Sequence, residues 1–226
     1  SLNALWKNKI AVLVGDFLLS RGMLLALEKD EFEVLKIVSG AVKEMSEGEL
    51  LQIEKARRLD IEESIYFEII RKKTATLIAS CCACGASSTG STPAVAQSMW
   101  KFGEAVGIAF QIKDDLFDYE RNNATGKPHL TDIRDQKMTL PLIYLLNQAN
   151  FTEKRWIINT VKNHHHDPER INRLIIMVND RGGIDYARSQ MNAYCSRAQD
   201  ILNAFPDNQY RQSLEQLVLF TIERKS

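Results

Sequence analysis

Apolar and polar residues recur with helical spacing along most of the chain. Strand-like alternation between turn signals is hard to find, and the first of the five prolines is Pro93. Helix starts are marked by capping-box-like pairs, such as Ser46 with Glu49, and by the dipeptides Thr92-Pro93 and Asp167-Pro168. We therefore predict ten helices, over residues 5–28, 31–45, 47–58, 61–86, 93–120, 139–149, 153–164, 168–180, 184–204 and 208–224.

A succession of helices without a linker or an internal repeat predicts a single all-α domain over residues 1–226. With 45% hydrophobic residues, a chain of this length buries a core without needing disulfides or a structural metal. The exception to the helical pattern is the polar stretch from Arg121 to Met138. A loop of that length in a compact helical domain indicates a functional or mobile segment.

The charge is balanced, with 29 basic and 29 acidic side chains. This balance argues against a nucleic-acid binder that works through general basicity. We predict no membrane-spanning helix, because the most apolar run, Ile10 to Leu19, contains Asp16 and is too short for a bilayer. The first residues lack a basic signal-peptide region and the chain begins without methionine, so we expect a processed product or a fragment.

Three of the four cysteines, Cys81, Cys82 and Cys84, fall within four residues. Such crowding does not suit an ordinary set of disulfides, so we predict reduced thiols and a cytoplasmic protein. A metal site would need a second cysteine pair, and a redox site would need a strand-to-helix turn. We therefore predict that this stretch of small residues packs closely against another helix.

The last turns of the predicted helix 93–120 carry an acidic face. At about 100° per residue, Gln111, Asp114, Asp115 and Asp118 share an arc of roughly 100°. The rest of the circumference is apolar apart from one lysine, which is the reverse of a solvated surface helix. Carboxylates on the polar stripe of a buried helix would repel one another, and a divalent cation such as Mg²⁺ would remove that repulsion. An acidic, solvated helix end is the alternative.

Three lysines would serve a phosphate group at such a metal site. Lys127 and Lys137 follow the acidic helix, and Lys73 lies within an apolar helical stretch. Taken alone, each lysine is more simply interpreted as a solvated side chain whose ammonium group reaches water. Their combination with the aspartates favours a metal–phosphate site.

These motifs, in this order, resemble the trans-isoprenyl diphosphate synthases, the polyprenyl synthetase family. The match runs over roughly residues 1–145 and is closer to bacterial long-chain, octaprenyl-type synthases than to short-chain ones. Its centre is GIAFQIKDDLFDY at residues 107–119, which resembles the family's second aspartate-rich motif, D-D-x-x-D. The other resembling segments are residues 11–19, 48–52, the pair Lys73-Thr74, residues 126–128 (GKP) and residues 132–141 (DIRDQKMTLP).

The resemblance implies an all-α helical bundle around a central cavity, usually as a homodimer. It also implies a Mg²⁺-dependent prenyltransferase in which an allylic diphosphate ionises and isopentenyl diphosphate attacks the resulting cation. A metal and lysines would offset the charge on the leaving diphosphate, and an apolar cavity would keep water from the cation. The implied partners are these two diphosphates, with no nucleic acid and no membrane.

The resemblance assigns roles by position. The Mg²⁺ ligands would be Asp114, Asp115 and Asp118, with Asp114 first among them. The diphosphate would be held by Lys73, Lys127 and Lys137. The catalytic residues would be Lys73, Thr74 and Gln111, and the last two would orient or stabilise the reacting allyl group.

The chain departs from the family pattern in two places. Leu130 stands where the family often has glycine after Gly-Lys-Pro. The chain also starts where the first aspartate-rich motif should just have ended. We therefore expect the N-terminal helices of the bundle to be missing, and with them half of the metal site and most of the isopentenyl diphosphate site.

Three other interpretations stay open at this point. The first is a non-catalytic, regulatory subunit of a heteromeric prenyl synthase. The second is a terpene cyclase, and the third is a purely structural helical bundle. The intact acidic motif argues against a regulatory subunit, because such a subunit has no need for it. The loop that contains Lys127 favours a synthase over a cyclase.

Overall fold

The regular structure is entirely helical in the computed structural model, which describes residues 2–56, 62–119 and 131–224. The predicted all-α fold is therefore confirmed. The helices are α1 (Leu2–Glu28), α2 (Phe32–Ala56), α3 (Glu63–Ile70), α4 (Thr76–Ser87), α5 (Pro93–Phe117), α6 (Thr131–Arg134), α7 (Leu140–Gln148), α8 (Phe151–Asn163), α9 (Pro168–Asp180), α10 (Gly183–Asn203) and α11 (Gln209–Glu223). A π-helical turn, Arg71–Ala75, joins α3 to α4.

Helix α5 lies at the centre of the bundle and packs most extensively against α4 and α10. Its apolar side chains, among them Phe102, Ala109 and Ile112, are fully buried. The same hydrophobic cluster includes Leu142 and Leu145 of α7. Burying side chains of this size contributes roughly 1.5–3 kcal/mol each, so this cluster is the main source of stability.

The helix boundaries follow the sequence signals in part. The hydroxyl of Thr92 accepts a hydrogen bond from the backbone N–H of Val95, and the carboxylate of Asp167 caps α9, as predicted. The predicted break before Ser46 is wrong. Its hydroxyl donates to the carbonyl of Val42, 2.9 Å away, and α2 continues without a stop. A serine that bonds back to the preceding turn does not end a helix.

The polar stretch 121–138 contains more order than its composition predicts. Residues 131–134 form the short helix α6, and Gln136 follows it with a left-handed φ of 57°. Residues 120–130, including Lys127 and Leu130, lie outside the described residues. The predictions for that lysine and leucine stay predictions.

Helix α1 is apolar yet exposed. The segment Asn8–Glu28 has the length and composition of a membrane-crossing helix, and none of that window is buried. The predicted run Ile10 to Leu19 thus underestimated the apolar stretch. Core helices and signal sequences share this length and composition, so the segment by itself does not show a span.

The small residues of α4 pack closely against α5, whereas the cysteines of this stretch differ in burial. Ala79 lies against Gly103 of α5, and both Ala79 and Ala83 are buried. Cys81 faces solvent and Cys82 is partly buried against the core. All four cysteines are free thiols.

Candidate active site

A π-helical turn, Arg71–Ala75, carries two of the predicted site residues, Lys73 and Thr74. A π-turn inserts one extra residue into a helix and often marks a functional site. Here Lys73 and Thr74 both line a cavity, whereas Lys72 forms ion pairs with Glu47 and Glu68. The widened turn therefore presents two consecutive side chains to the same cavity.

Two glycines bring α5 against the helix that carries this turn. A methyl group added at Gly103 would lie 2.7 Å from the Cα of Ala79, and one added at Gly107 would lie 2.5 Å from the Cα of Ala75. No real side chain fits at such distances, so the two helices touch backbone to backbone. One turn further along α5 from Gly107 comes Gln111.

This close approach sets up the first polar contact of the site. The hydroxyl of Thr74 donates to Oε1 of Gln111 at 2.9 Å. The amide of Gln111 in turn donates from Nε2 to Oδ1 of Asp115 at 3.2 Å. Thr74, Gln111 and Asp115 thus form one hydrogen-bonded chain along the wall of the cavity.

A third glycine, Gly48 of α2, holds the π-turn from the other side. A methyl group there would lie 2.9 Å from the backbone nitrogen of Lys73. Next to this contact, Nζ of Lys73 lies 2.8 Å from Oε1 of Gln52 and 2.6 Å from Oε2 of Glu49. The ammonium group therefore has an anionic and a polar partner at the edge of the cavity, and it remains partly exposed to incoming anions.

Asp115 is a buried carboxylate with several donors around it. It receives hydrogen bonds from the hydroxyl of Tyr66 at 2.8 Å and from Gln111. Burial raises the pKa of Asp115 to about 7, the nearby charge of Asp132 adds to this rise, and the donated hydrogen bonds, including one from the backbone of Leu140, oppose it. Burial and the neighbouring Asp115 raise the pKa of Tyr66 well above its usual value, so its proton stays available to the carboxylate.

Asp118 anchors the segment that follows α5. Its Oδ2 accepts a hydrogen bond of 2.6 Å from the backbone N–H of Asp132, at the start of α6. The side chain of Asp132 accepts a second bond, of 2.8 Å, from Nζ of Lys137. Desolvation alone would lower the pKa of Lys137, but its pairing with Asp132 and Asp135 outweighs that effect and raises the pKa. Lys137 is therefore a cation held beside the cavity.

Asp114 has a different partner from the other two aspartates. Its carboxylate forms an ion pair with Arg224, which follows the last turn of α11. Burial raises the pKa of Asp114, and the neighbouring Arg224 guanidinium opposes that rise. Asp114 lies on the α11 side of α5 rather than in the lining of the cavity.

The cavity has a volume of about 380 Å³ and lies between α2, α3, the π-turn, α5 and the segment after α6. It brings together five of the predicted site residues: Lys73, Thr74, Gln111, Asp115 and Lys137. Its other lining residues are Gln52, Tyr66, Ile69, Ile70, Asp132, Asp135, Gln136, Met138 and Thr139. No sequence signal pointed to Tyr66, Ile69 or Ile70, whereas the others lie in segments quoted for the family resemblance, residues 48–52 and 132–141.

The donor chemistry of these residues fits Mg²⁺, because carboxylate oxygens are its preferred protein ligands. The carboxylates also lie close enough to affect one another, because the charge of Asp132 raises the pKa values of Asp114 and Asp115. Within the described residues, however, no three acidic, histidine or cysteine side chains converge as a ready-made metal site. The three aspartates share one stretch of helix but hold three different partners, and their metal-binding role stays a prediction.

Comparison with known proteins bears on the whole chain. A model of the family described as polyprenyl synthetase matches residues 1–178. The all-trans-nonaprenyl-diphosphate synthase (geranyl-diphosphate specific) of Rhodobacter capsulatus is 32% identical over 98% of this chain and 68% of its own length. The octaprenyl diphosphate synthase of Escherichia coli is 29% identical over 98% of this chain and 69% of its own length.

Solved structures show the same likeness. A decaprenyl diphosphate synthase from Rhodobacter capsulatus superposes with a TM-score of 0.90 at 31% identity, covering 98% of this chain and 68% of that one. A geranylgeranyl pyrophosphate synthase from Bacteroides thetaiotaomicron has a TM-score of 0.87 at 35% identity, covering 99% of this chain and 74% of that one. Neither a regulatory subunit nor a terpene cyclase gains support from these relatives. We conclude that the chain belongs to the polyprenyl synthetase family and that its identification as a prenyltransferase is confirmed.

Proposed function

We propose that this chain carries the diphosphate-binding half of a long-chain polyprenyl diphosphate synthase, which elongates an allylic diphosphate with isopentenyl diphosphate. The observation that carries this proposal is the convergence of Lys73, Thr74, Gln111, Asp115 and Lys137 on one cavity. The names of two relatives, a nonaprenyl and an octaprenyl diphosphate synthase, support a long-chain product.

Two lysines at the rim of this cavity serve the diphosphate. Nζ of Lys73 and Nζ of Lys137 are each held by acidic side chains and each remains partly exposed. An incoming diphosphate offers more negative charge than a single carboxylate, so it draws both ammonium groups into the cavity. The two lysines then offset the charge that grows on the leaving group as the C1–O bond breaks.

Thr74 and Gln111 act on the allyl group. The hydroxyl proton of Thr74 is committed to Oε1 of Gln111, so the threonine oxygen presents its lone pairs to the cavity. Electron-rich oxygens stabilise a developing allylic cation without acting as free nucleophiles, and Ile69, Ile70 and Met138 restrict water beside them.

Mg²⁺ would be held by Asp114, with Asp115 and Asp118 as the other candidate ligands, and it would supply charge neutralisation to the diphosphate. The hydrogen bond from Tyr66 orients Asp115 and favours its ionised form. The contact from Asp118 to the backbone of Asp132 keeps Lys137 near the acidic helix. The chain's own residues thus favour the ionised form of Asp115 and hold the cation of Lys137 nearby.

We also propose that the protein is a cytoplasmic homodimer. Helix α1 has an exposed apolar surface that includes Val12, Phe17 and Leu18. Such a surface favours packing against the same helix of a second copy. Free thiols on Cys81 and its neighbours are in keeping with a reducing compartment.

A product assay and a binding assay test this function together. Joined to the first aspartate-rich segment of a long-chain relative, the chain should convert farnesyl diphosphate and isopentenyl diphosphate, with Mg²⁺, into longer prenyl diphosphates, which mass spectrometry detects. Calorimetry on Asp114→Ala should show the loss of Mg²⁺-dependent binding of the allylic diphosphate. The matched control, Asp185→Ala, removes an exposed carboxylate of α10 and should bind normally. Absent elongation, together with unchanged binding in Asp114→Ala, would remove the proposal.

A further inference from the structure

Arg224 is bound to the acidic helix by three kinds of contact. It follows the last residue of α11, and its guanidinium stacks 3.8 Å from the ring centre of Phe110 and 5.1 Å from that of Phe117. One of its terminal nitrogens donates to the carbonyl of Phe110 at 3.1 Å and also to the carboxylate of Asp114. Only 18% of its side chain is exposed.

This arrangement is an arginine built into a pocket rather than a surface ion pair. A guanidinium placed against aromatic faces loses part of its water and gains from the ring electrons. Its Nε is buried and lacks a hydrogen-bond partner. One donor is therefore left unsatisfied, which lowers the cost of releasing the group again.

The carboxylate of Asp114 depends on such a cation. It is half-buried, and Asp132 lies near enough to act on its charge. A partly desolvated carboxylate near another one is stable in its charged form when a positive group compensates it. Arg224 provides that positive group.

We propose that Arg224 is the resident cation of Asp114 and that Mg²⁺ must displace it to reach this carboxylate. The inference rests on the proposed metal site. A guanidinium and a divalent ion repel each other at contact distance, so they do not share one carboxylate in a half-buried site without a penalty. When the metal–diphosphate complex arrives, the arginine leaves Asp114 while its stacking against Phe110 and Phe117 keeps it nearby. The ion pair between Arg224 and α5 thus opens when the metal–diphosphate complex binds.

The test is a calorimetric titration of the chain with Mg²⁺ in the presence of inorganic diphosphate. Arg224→Gln removes the competing cation, so we expect Mg²⁺ to bind about fivefold more tightly than to the unchanged chain. Arg224→Lys keeps a charge but loses the planar stacking, so we expect an intermediate affinity. The matched control is Arg211→Gln, in the helix that precedes Arg224, because the ion pair of Arg211 is with Glu215 of the same helix. The control should leave the Mg²⁺ affinity unchanged.

Thermal unfolding without metal gives a second readout that does not depend on activity. Arg224→Gln should lower the melting temperature, because Asp114 loses its partner. Adding Asp114→Asn to Arg224→Gln should restore part of that loss, since a neutral side chain needs no counter-ion. Such non-additive changes in melting temperature would show that the ion pair forms in solution, independently of metal binding.

The outcomes separate this inference from the proposed function. If Asp114→Asn abolishes Mg²⁺ binding while Arg224→Gln weakens it or leaves it the same, the displacement is wrong and the metal site stands. If neither substitution changes Mg²⁺ binding, both the metal role of Asp114 and the displacement are wrong. Tighter binding to Arg224→Gln, lost again when Asp114→Asn is added, supports the displacement.

Discussion

Helices α1 and α5 are both long and apolar, yet they have opposite surroundings. Helix α5, with 25 residues, is buried on most sides by α4 and α10. Helix α1, with 27 residues, packs mainly against α2 and leaves Val12, Phe17 and Leu18 more than 60% exposed. Apolar composition therefore does not decide which helix becomes the core.

Glycines account for part of the difference. Gly103 and Gly107 of α5 lie against the backbone of the neighbouring helix, whereas Gly15 and Gly22 of α1 have no neighbour within 4 Å. The same residue type thus permits close packing in α5 and only adds backbone freedom in α1. The buried helix also carries the polar stripe that faces the cavity, whereas the exposed helix carries an apolar face suited to a partner.

The largest expected effect comes from breaking the close packing of α5. Gly107→Ala places a methyl group 2.5 Å from the Cα of Ala75, so the two helices must separate. We expect the free energy of unfolding to fall by about 3 kcal/mol, and prenyl transfer to be lost because Thr74 and Gln111 move apart. Denaturant unfolding and the product assay measure the two effects. An unchanged stability would contradict the packing of α5 against the π-turn.

A second prediction tests the exposed face of α1. Phe17→Glu should raise the dissociation constant of the proposed homodimer by about 100-fold or more, because it places a charge where each copy would bury a ring. Analytical ultracentrifugation measures this constant. The control, Phe151→Glu, alters an even more exposed phenylalanine, in α8, and should leave self-association unchanged. Equal effects of the two substitutions would place the contact elsewhere.

A smaller effect is expected at Tyr66, the hydrogen-bond partner of Asp115. Tyr66→Phe removes the hydroxyl that donates to Asp115 and leaves a buried carboxylate with one donor fewer. We expect the free energy of unfolding to fall by about 1–2 kcal/mol and the turnover number to fall with it. Chemical denaturation and steady-state kinetics measure these changes. Tyr210→Phe, at an exposed position of α11, is the control and should change stability by less than about 0.5 kcal/mol.

The smallest effect is expected in α1 and has the opposite sign to that of Gly107→Ala. Gly22→Ala adds a methyl group to open space and reduces the freedom of the unfolded chain. We expect a gain of about 0.5–1 kcal/mol in the free energy of unfolding, measured at concentrations at which the chain is monomeric. A loss of stability would mean that α1 has close neighbours within the chain.

The sequence predicted most of the helices and five of the fourteen residues that line the cavity, because these signals are local. Periodicity and caps such as Thr92 and Asp167 are properties of neighbouring residues, and the spacing of Asp114, Asp115 and Asp118 places them on one arc. The π-turn and the unbroken α2 were not predictable in this way. A widened turn depends on the packing of neighbouring helices against it. Ser46 has the sequence pattern of a helix cap, but in the structure its hydroxyl donates to the carbonyl of Val42.

The sequence by itself determined the helical class of this protein, the family to which it belongs, and which residue types the site contains. The tertiary structure alone decided which partners those residues have. Asp115 meets Tyr66 from 49 positions away, and Asp114 meets Arg224 from 110 positions away. Contacts between residues so far apart depend on how closely the helices approach, and that approach is set by glycines, side-chain volumes and the sum of many weak packing contacts.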